Sequence, residues 1–261
     1  MRAKLNHFLK KGYLTLLLIF LYLPILIMAV FSFNASRTRG QWSGFSLKWY
    51  QELFHDPTIM QALYTTLLVA VLSALIATVI GTVAAIGIYS MKRRPRAALL
   101  NLTYIPVTNP DIVTGISLML LFLFIKLPMG FGTLLIAHIT FNVPYVILSV
   151  MPKLQQMNTH LYEAALDLGA PPRLALVKVI LPQIMPGIFT GALLAFTLSL
   201  DDFVVSFFTN GGTQTLSVVV YSMARLGVKP QINALSTIMF VCVLVLLFIV
   251  NKRTARDASS K

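Results

Sequence analysis

The sequence predicts an all-α polytopic membrane protein with six transmembrane helices, and three observations predict it. Hydrophobic residues make up 57% of the 261 positions and charged residues only 11%, against about 25% charged in a soluble domain. Mean hydropathy is +0.81. The apolar residues gather into six continuous runs, each near or above the ~20 residues a helix needs to cross about 30 Å of hydrocarbon. Continuous runs suit helices, because a membrane β-strand would alternate apolar and polar positions over about ten residues.

The first span is expected over 12–33. Its basic start (Arg2, Lys4, Lys10, Lys11) is shared with secretory signals. Its apolar stretch is too long for one, and no small-x-small cleavage site follows cleanly, so a retained helix is expected. The second span, 62–91, repeats small residues every four positions at Ser73, Ala77, Gly81 and Ala85, a pattern that lets helices pack closely. The third, 97–125, carries Pro106 and Pro110 and is expected to be kinked or broken. In the fourth, 131–151, His138 and Asn142 are read as residues that hydrogen-bond neighbouring helices. The fifth, 184–208, has a GxxxG at Gly187 and Gly191, and the sixth covers 232–250. The chain reads as a single domain over 1–261, with no soluble domain appended.

The formal net charge is +13, from 21 Lys and Arg against 8 Asp and Glu. In a soluble protein such a balance would suggest nucleic acid; here the cations report orientation instead. With the N-terminus inside, 15 fall on inner segments and 6 on outer ones (Arg37, Arg39, Lys48, Lys126, Arg225, Lys229). That bias places both termini in the cytoplasm. One cysteine, Cys242, lies in an apolar run, and the four histidines make no HExxH. With no GxxxxGK[ST] and no G-x-S-x-G either, the chain presents no metal centre, no nucleotide-binding loop and no catalytic residues of its own.

The inner loop over 153–183 is the most informative segment. Leu154, Met157, Leu161, Ala164, Ala165 and Leu168 recur at steps of three or four and predict one apolar helix face. Gly169 is placed to end that helix, and Pro171 or Pro172 to start another. Leu174, Val177, Ile180 and Leu181 give the second helix its stripe, and Pro182 is expected to close it. Such a helix–turn–helix either lies on lipid headgroups or inserts into a groove on another protein.

Glu163-Ala164-Ala165, then Gly169, then Leu181-Pro182, with Val179 where the pattern has Ile, resembles the EAA loop of ABC importer permeases. The likeness extends over nearly the whole chain to the spermidine/putrescine permeases among them. It is carried by Phe31-Ser32-Phe33-Asn34, Trp49-Tyr50, Asn109-Pro110-Asp111, His138-Ile139-Thr140-Phe141, the run from Phe196 to Phe203, Tyr221-Ser222-Met223 and Asn233-Ala234-Leu235. The resemblance implies that the loop between the fourth and fifth spans forms coupling helices that dock on an ATPase subunit. It also implies a bacterial cytoplasmic membrane location and a second, related permease in a heterodimer. Two ATPase subunits would hold ATP and Mg, and an extracytoplasmic binding protein would deliver the polyamine. The remaining contact is membrane lipid. Related permeases carry ferric iron, thiamine or phosphonate, and that substrate class is the alternative.

Three of the eight acids fall within expected spans: Asp111, Asp201 and Asp202. An Asp at the centre of a span costs about +2.5 to +3.5 kcal/mol on insertion scales, so such residues face a bundle interior or an aqueous cavity. They suit a cation pathway. Phe203, Phe207, Phe208 and Tyr221 are candidate faces for cation–π contact. On a continuous fifth helix Asp201 and Asp202 would point about 100° apart, and both could not line one narrow wall. A membrane enzyme or self-sufficient channel would need a catalytic constellation or pore repeats, and three isolated aspartates supply neither.

Overall fold

The computed structural model describes residues 2–36, 41–158, 160–226 and 230–259, with side chains described from 11 onward except at 226, 243 and 246–259. Arg37, Arg39, Lys229 and Lys261, used above to orient the chain, lie outside these residues. The described residues are helical throughout apart from turns and one isolated β-bridge, Asn34 to Phe45. They divide into two compact units, Met1–Met60 with Val220–Lys261, and Gln61–Val219.

The first unit contains α1 (Arg2–Phe31) and α2 (Lys48–His55). The apolar stretch of α1, Lys11–Phe31, is long enough to span a bilayer. Asn34 organises the turn beyond it: its Nδ2 donates to the Gln41 carbonyl at 2.7 Å, and its Oδ1 accepts the Ser43 N–H at 2.9 Å. Its own carbonyl accepts the indole N–H of buried Trp49 at 2.7 Å. Phe33 stacks on Phe45, with centroids 5.4 Å apart. The Phe31–Asn34 and Trp49–Tyr50 motifs are thus two sides of one built turn. In the same unit α12 (Pro230–Ser259) meets α2, where Gln231 donates to Glu52 at 2.8 Å. The described apolar part of α12 is Pro230–Cys242.

The second unit is built around α6 (Phe131–Gln156), which buries twelve side chains along its length. It runs five residues past the expected end at 151, because Leu154 is buried in the apolar cluster and anchors the extra turn. Two stripes of small residues face it. In α3 (Pro57–Ser90), Ser73, Ala77 and Ala85 are fully buried, and a Cβ added at Gly81 would lie 2.7 Å from Val146. In α9 (Leu181–Asp201), a Cβ at Gly191 would meet the Val146 backbone at 3.2 Å, and one at Gly187 the Ser149 carbonyl at 3.0 Å. Both stripes serve helix packing on α6.

Two expected spans are interrupted. The third is a pair, α4 (Arg93–Thr108) and α5 (Asp111–Phe124), bent by 102°. The bend falls at Asn109-Pro110, as proline chemistry requires. The fifth is not continuous to 208: α9 ends at Asp201, Asp202 is extended, and a short α10 (Val204–Thr209) follows. Among the described residues four helices, with the bent pair as a fifth element, are long and apolar enough to span a membrane.

The inner loop differs from its expected form at both ends. Leu154 belongs to α6, so the first loop helix is only α7 (His160–Asp167). Its partly buried residues are Tyr162, Ala165 and Leu166, while Leu161, Ala164 and Leu168 are exposed. Gly169 does end it, at φ +84°, with Gly169 N–H to the Leu166 carbonyl and Ala170 N–H to the Ala165 carbonyl. This is the paired bonding of a Schellman cap. Pro182, however, closes nothing. From α8 (Pro172–Ala175) the chain passes through a π turn, Leu176–Ile180, directly into α9, giving one helical rod over Pro172–Asp201. The π turn widens the ladder just ahead of Pro182, which lacks an N–H and would crowd the carbonyl four residues back.

Gly81→Ala is expected to destabilise the purified protein by about 1–3 kcal/mol through overpacking. Gly87→Ala, where an added Cβ meets nothing within 4 Å, should leave stability level or raised. Thermal unfolding of both variants in detergent checks the pair.

Candidate functional site

Both interruptions open on one cavity of about 310 Å³ inside the second unit. From the α4–α5 bend comes Asp111. From the α9–α10 break come Asp201, Asp202, Phe203 and Val204, joined by Thr197 and Leu198 of α9 and Phe141 of α6. The structure therefore gathers the three intramembrane aspartates on one wall set. The break in α9 removes the helical geometry that would have separated Asp201 from Asp202: Asp202 has ψ 124° and leaves the helix.

The three carboxylates differ in their surroundings. Asp111 is the first residue of α5, where the helix dipole favours a negative charge. Asp201 is the last residue of α9, where the dipole adds negative potential to the carboxylate. Both are exposed to the cavity side, and among the described residues no hydrogen bond or ion pair holds either one. Such a site attracts a cation and repels an anion. Asp202 is different. Its Oδ1 accepts the Val205 N–H at 3.1 Å and its Oδ2 the Ser206 N–H at 2.7 Å, so it caps α10. Its backbone carbonyl accepts the Ser217 hydroxyl at 2.6 Å.

Behind Asp202 lies a buried polar chain. Asn142 Nδ2 donates to Ser73 Oγ at 3.3 Å, and Ser73 Oγ donates to Ser199 Oγ at 3.0 Å. The Ser199 hydroxyl lies 2.6 Å from His138 Nδ1. His138 Nε2 lies 3.0 Å from Ser206 Oγ and 3.5 Å from Asp202 Oδ2. His138 and Asn142 thus do tie helices together, as expected.

Of the aromatic candidates, Phe203 lines the cavity and pairs with Phe207 at 5.5 Å between centroids. Phe207 in turn meets Phe208 edge-on. Tyr221 belongs to the first unit, on α11 (Leu216–Leu226), and is partly exposed. The lining by Phe141, Thr197 and Val204 went unforeseen, since none is polar enough or repeated enough to stand out. Ser73, Ser199 and Ser206 carry a faint signal as polar residues within otherwise apolar runs.

Glu163, Ala164 and Leu168 are exposed, with Leu168 89% exposed, and Leu174 and Val177 continue the apolar surface past Gly169. Glu163 sits 3.4 Å from His160 at the surface. Leu181 and Pro182 lie at the start of α9. Among the described residues no three His, Cys, Asp or Glu side chains converge as a metal site.

Interrupted backbone inside a bilayer is tolerated where it is buried in protein or lines a cavity, and here it brings unpaired carboxylates with it. That combination defines a membrane transport component. The chain belongs to the binding-protein-dependent transport system inner membrane component family, whose model matches residues 77–252. It is 40% identical over 254 residues to the spermidine/putrescine transport system permease protein PotC of Escherichia coli strain K12, covering 97% of this chain and 96% of that one. It is 39% identical over 238 residues to the putrescine transport system permease protein PotI of the same strain, covering 88% and 85%. In fold it is similar to a chain of a bacterial ABC transporter involved in import of the acidic polysaccharide alginate, with TM-score 0.81, 14% identity and 97% of each chain covered. A chain of the MetNI methionine ABC transporter matches with TM-score 0.63 and 17% identity, over 81% of this chain and 98% of that one.

Asp202→Ala should cost about 1–2 kcal/mol by uncapping α10, whereas Asp111→Asn, at a carboxylate without a hydrogen bond, should leave stability within about 0.5 kcal/mol. Unfolding midpoints in detergent check the contrast.

Proposed function

We propose that this chain is a transmembrane subunit of an ATP-driven importer that moves polyamines, spermidine or putrescine, across the bacterial cytoplasmic membrane. The observation that carries the substrate class is the convergence of Asp111, Asp201 and Asp202 with the rings of Phe141 and Phe203 on one cavity. A polyamine is a row of ammonium groups joined by methylenes. Carboxylates replace the hydration lost by each ammonium, and aromatic faces accept both the cation and the stem. Kinship with permeases named for spermidine and putrescine points the same way. The alternative, the same architecture carrying ferric iron, thiamine or phosphonate, suits the cavity less well: among the described residues no three acidic side chains come together as a metal site for iron. An anionic phosphonate would face three carboxylates, and thiamine has no row of ammonium groups to match them.

In this reading the membrane part has six spans, α12 supplying the last, with both termini cytoplasmic. The segment 153–183 lies on the cytoplasmic side, where Glu163, Ala164, Ala165 and Gly169 dock against one of two ATPase subunits and Leu181 and Pro182 lead into α9. ATP and Mg are held by those ATPase subunits, and this subunit is non-catalytic. A second, related permease completes the pathway as a heterodimer, and an extracytoplasmic binding protein delivers the polyamine.

Cells lacking this gene and any paralogue should lose uptake of labelled spermidine or putrescine, and intact uptake would overturn the substrate. Gly169→Pro destroys the αL cap of α7, and Glu163→Lys reverses the exposed charge. Either should lower uptake and the ATPase activity of the assembled complex at least about tenfold, a change of ~1.4 kcal/mol, while the protein still inserts. Wild-type uptake in both variants would sink the docking role.

A further inference from the structure

We propose that His138 is a positioning residue for the cation cavity: its imidazole clamps the two sides of the α9–α10 break and thereby fixes where Asp201 presents its carboxylate. The inference rests on the reading of the cavity as the polyamine path.

Three observations carry it. The ring is 1% exposed and stands on α6, the most packed helix of its unit. Its nitrogens reach opposite sides of the interruption: Nδ1 lies 2.6 Å from Ser199, before the break, and Nε2 lies 3.0 Å from Ser206, after it. The same Nε2 lies 3.5 Å from Asp202 Oδ2, whose side chain is 6% exposed. A rigid ring bonded on both sides sets the angle at which α9 stops and α10 starts. Asp201 is two residues past Ser199, so its direction is set from there. The clamp does not float, because Ser199 is bonded to Ser73 of α3 and Ser73 to Asn142 of α6. A buried histidine needed only for packing has no reason to straddle a break whose two ends line the cavity.

The test uses the full complex in proteoliposomes, with the ATPase subunits, the second permease and the binding protein. It reads labelled spermidine taken up per ATP hydrolysed. That ratio is independent of how much complex folds. His138→Leu removes both bonds and should lower the ratio about tenfold. His138→Gln, which can place an amide N–H near the Nε2 position, should recover it to within about threefold of wild type. A fall in uptake and ATP hydrolysis in equal proportion in both variants would mean a purely structural histidine and would overturn the proposal. Should His138→Leu fail to assemble, Ser206→Ala keeps the fold and removes one side of the clamp; an unchanged ratio there is equally fatal. Asp201→Asn separates the two inferences. If it leaves the ratio intact, the polyamine reading of the cavity fails. If it lowers the ratio while the His138 and Ser206 variants do not, the cavity stands and the clamp falls.

Discussion

An interrupted helix in hydrocarbon leaves backbone N–H and C=O groups that no lipid can bond, and the second unit is organised around meeting that demand twice. The two solutions differ. At Asn109-Pro110 the chain uses a residue with one fewer group to satisfy: Pro110 has no N–H, Asn109 N–H still bonds the Ile105 carbonyl, and the Pro110 carbonyl accepts Val113 N–H. At Asp202-Phe203 there is no proline, so side chains do the work. The Asp202 carboxylate takes the first amides of α10, and the Ser217 hydroxyl takes the Asp202 carbonyl. The first break is cheap and locally coded; the second depends on partners brought from elsewhere in the chain.

Those partners arrive only because the helices approach closely. Gly81 and Gly191 let α3 and α9 come within contact of the Val146 backbone and side chain from two directions. Only at that separation can hydroxyls as short as those of Ser73 and Ser199 bond each other and His138. Short polar side chains between close backbones are worth roughly 0.6 to 2 kcal/mol each in a membrane. The small-residue stripes are therefore structural in origin and functional in consequence, since they allow the acids to be held at an interior break.

How much of this was legible in the sequence follows the range of the cause. Span positions came from local hydropathy, the α4–α5 bend from two prolines, and the end of α7 from Gly169, all short-range signals. The α9–α10 break was missed because its cause is long-range: the run 184–208 is apolar, and nothing at 202–203 forbids a helix. One local signal was present. Asp is a preferred N-cap, and an Asp followed by Phe203 and Val204 reads as the start of a new helix as well as the interior of an old one. Pro182 misled in the other direction. A proline just ahead of a span signals a helix stop, whereas the π turn over Leu176–Ile180 absorbs it. Periodicity also ran the loop stripe back through Leu154, which belongs to α6 and is buried there.

That absorbed proline has a mechanical result. Had Pro182 ended a helix, the exposed segment and the acidic cavity would be joined by a hinge. Instead α8, the π turn and α9 form one helical rod of 30 residues, about 45 Å at 1.5 Å per residue. One end begins just after the Gly169 cap; the other is Asp201, on the cavity wall. A hydrogen-bonded helix transmits axial displacement and tilt, where a flexible loop would dissipate them. The rod's far end meets the α9–α10 break, which is bonded to α3, α6 and α11 through Ser199, Ser206 and Asp202. Any tilt imposed near residues 172–180 must there either strain the bonds to Ser199, Ser206 and Asp202 or move the carboxylates with it. Because packed interfaces have few discrete arrangements rather than a continuum, such a tilt would not be absorbed smoothly at the break.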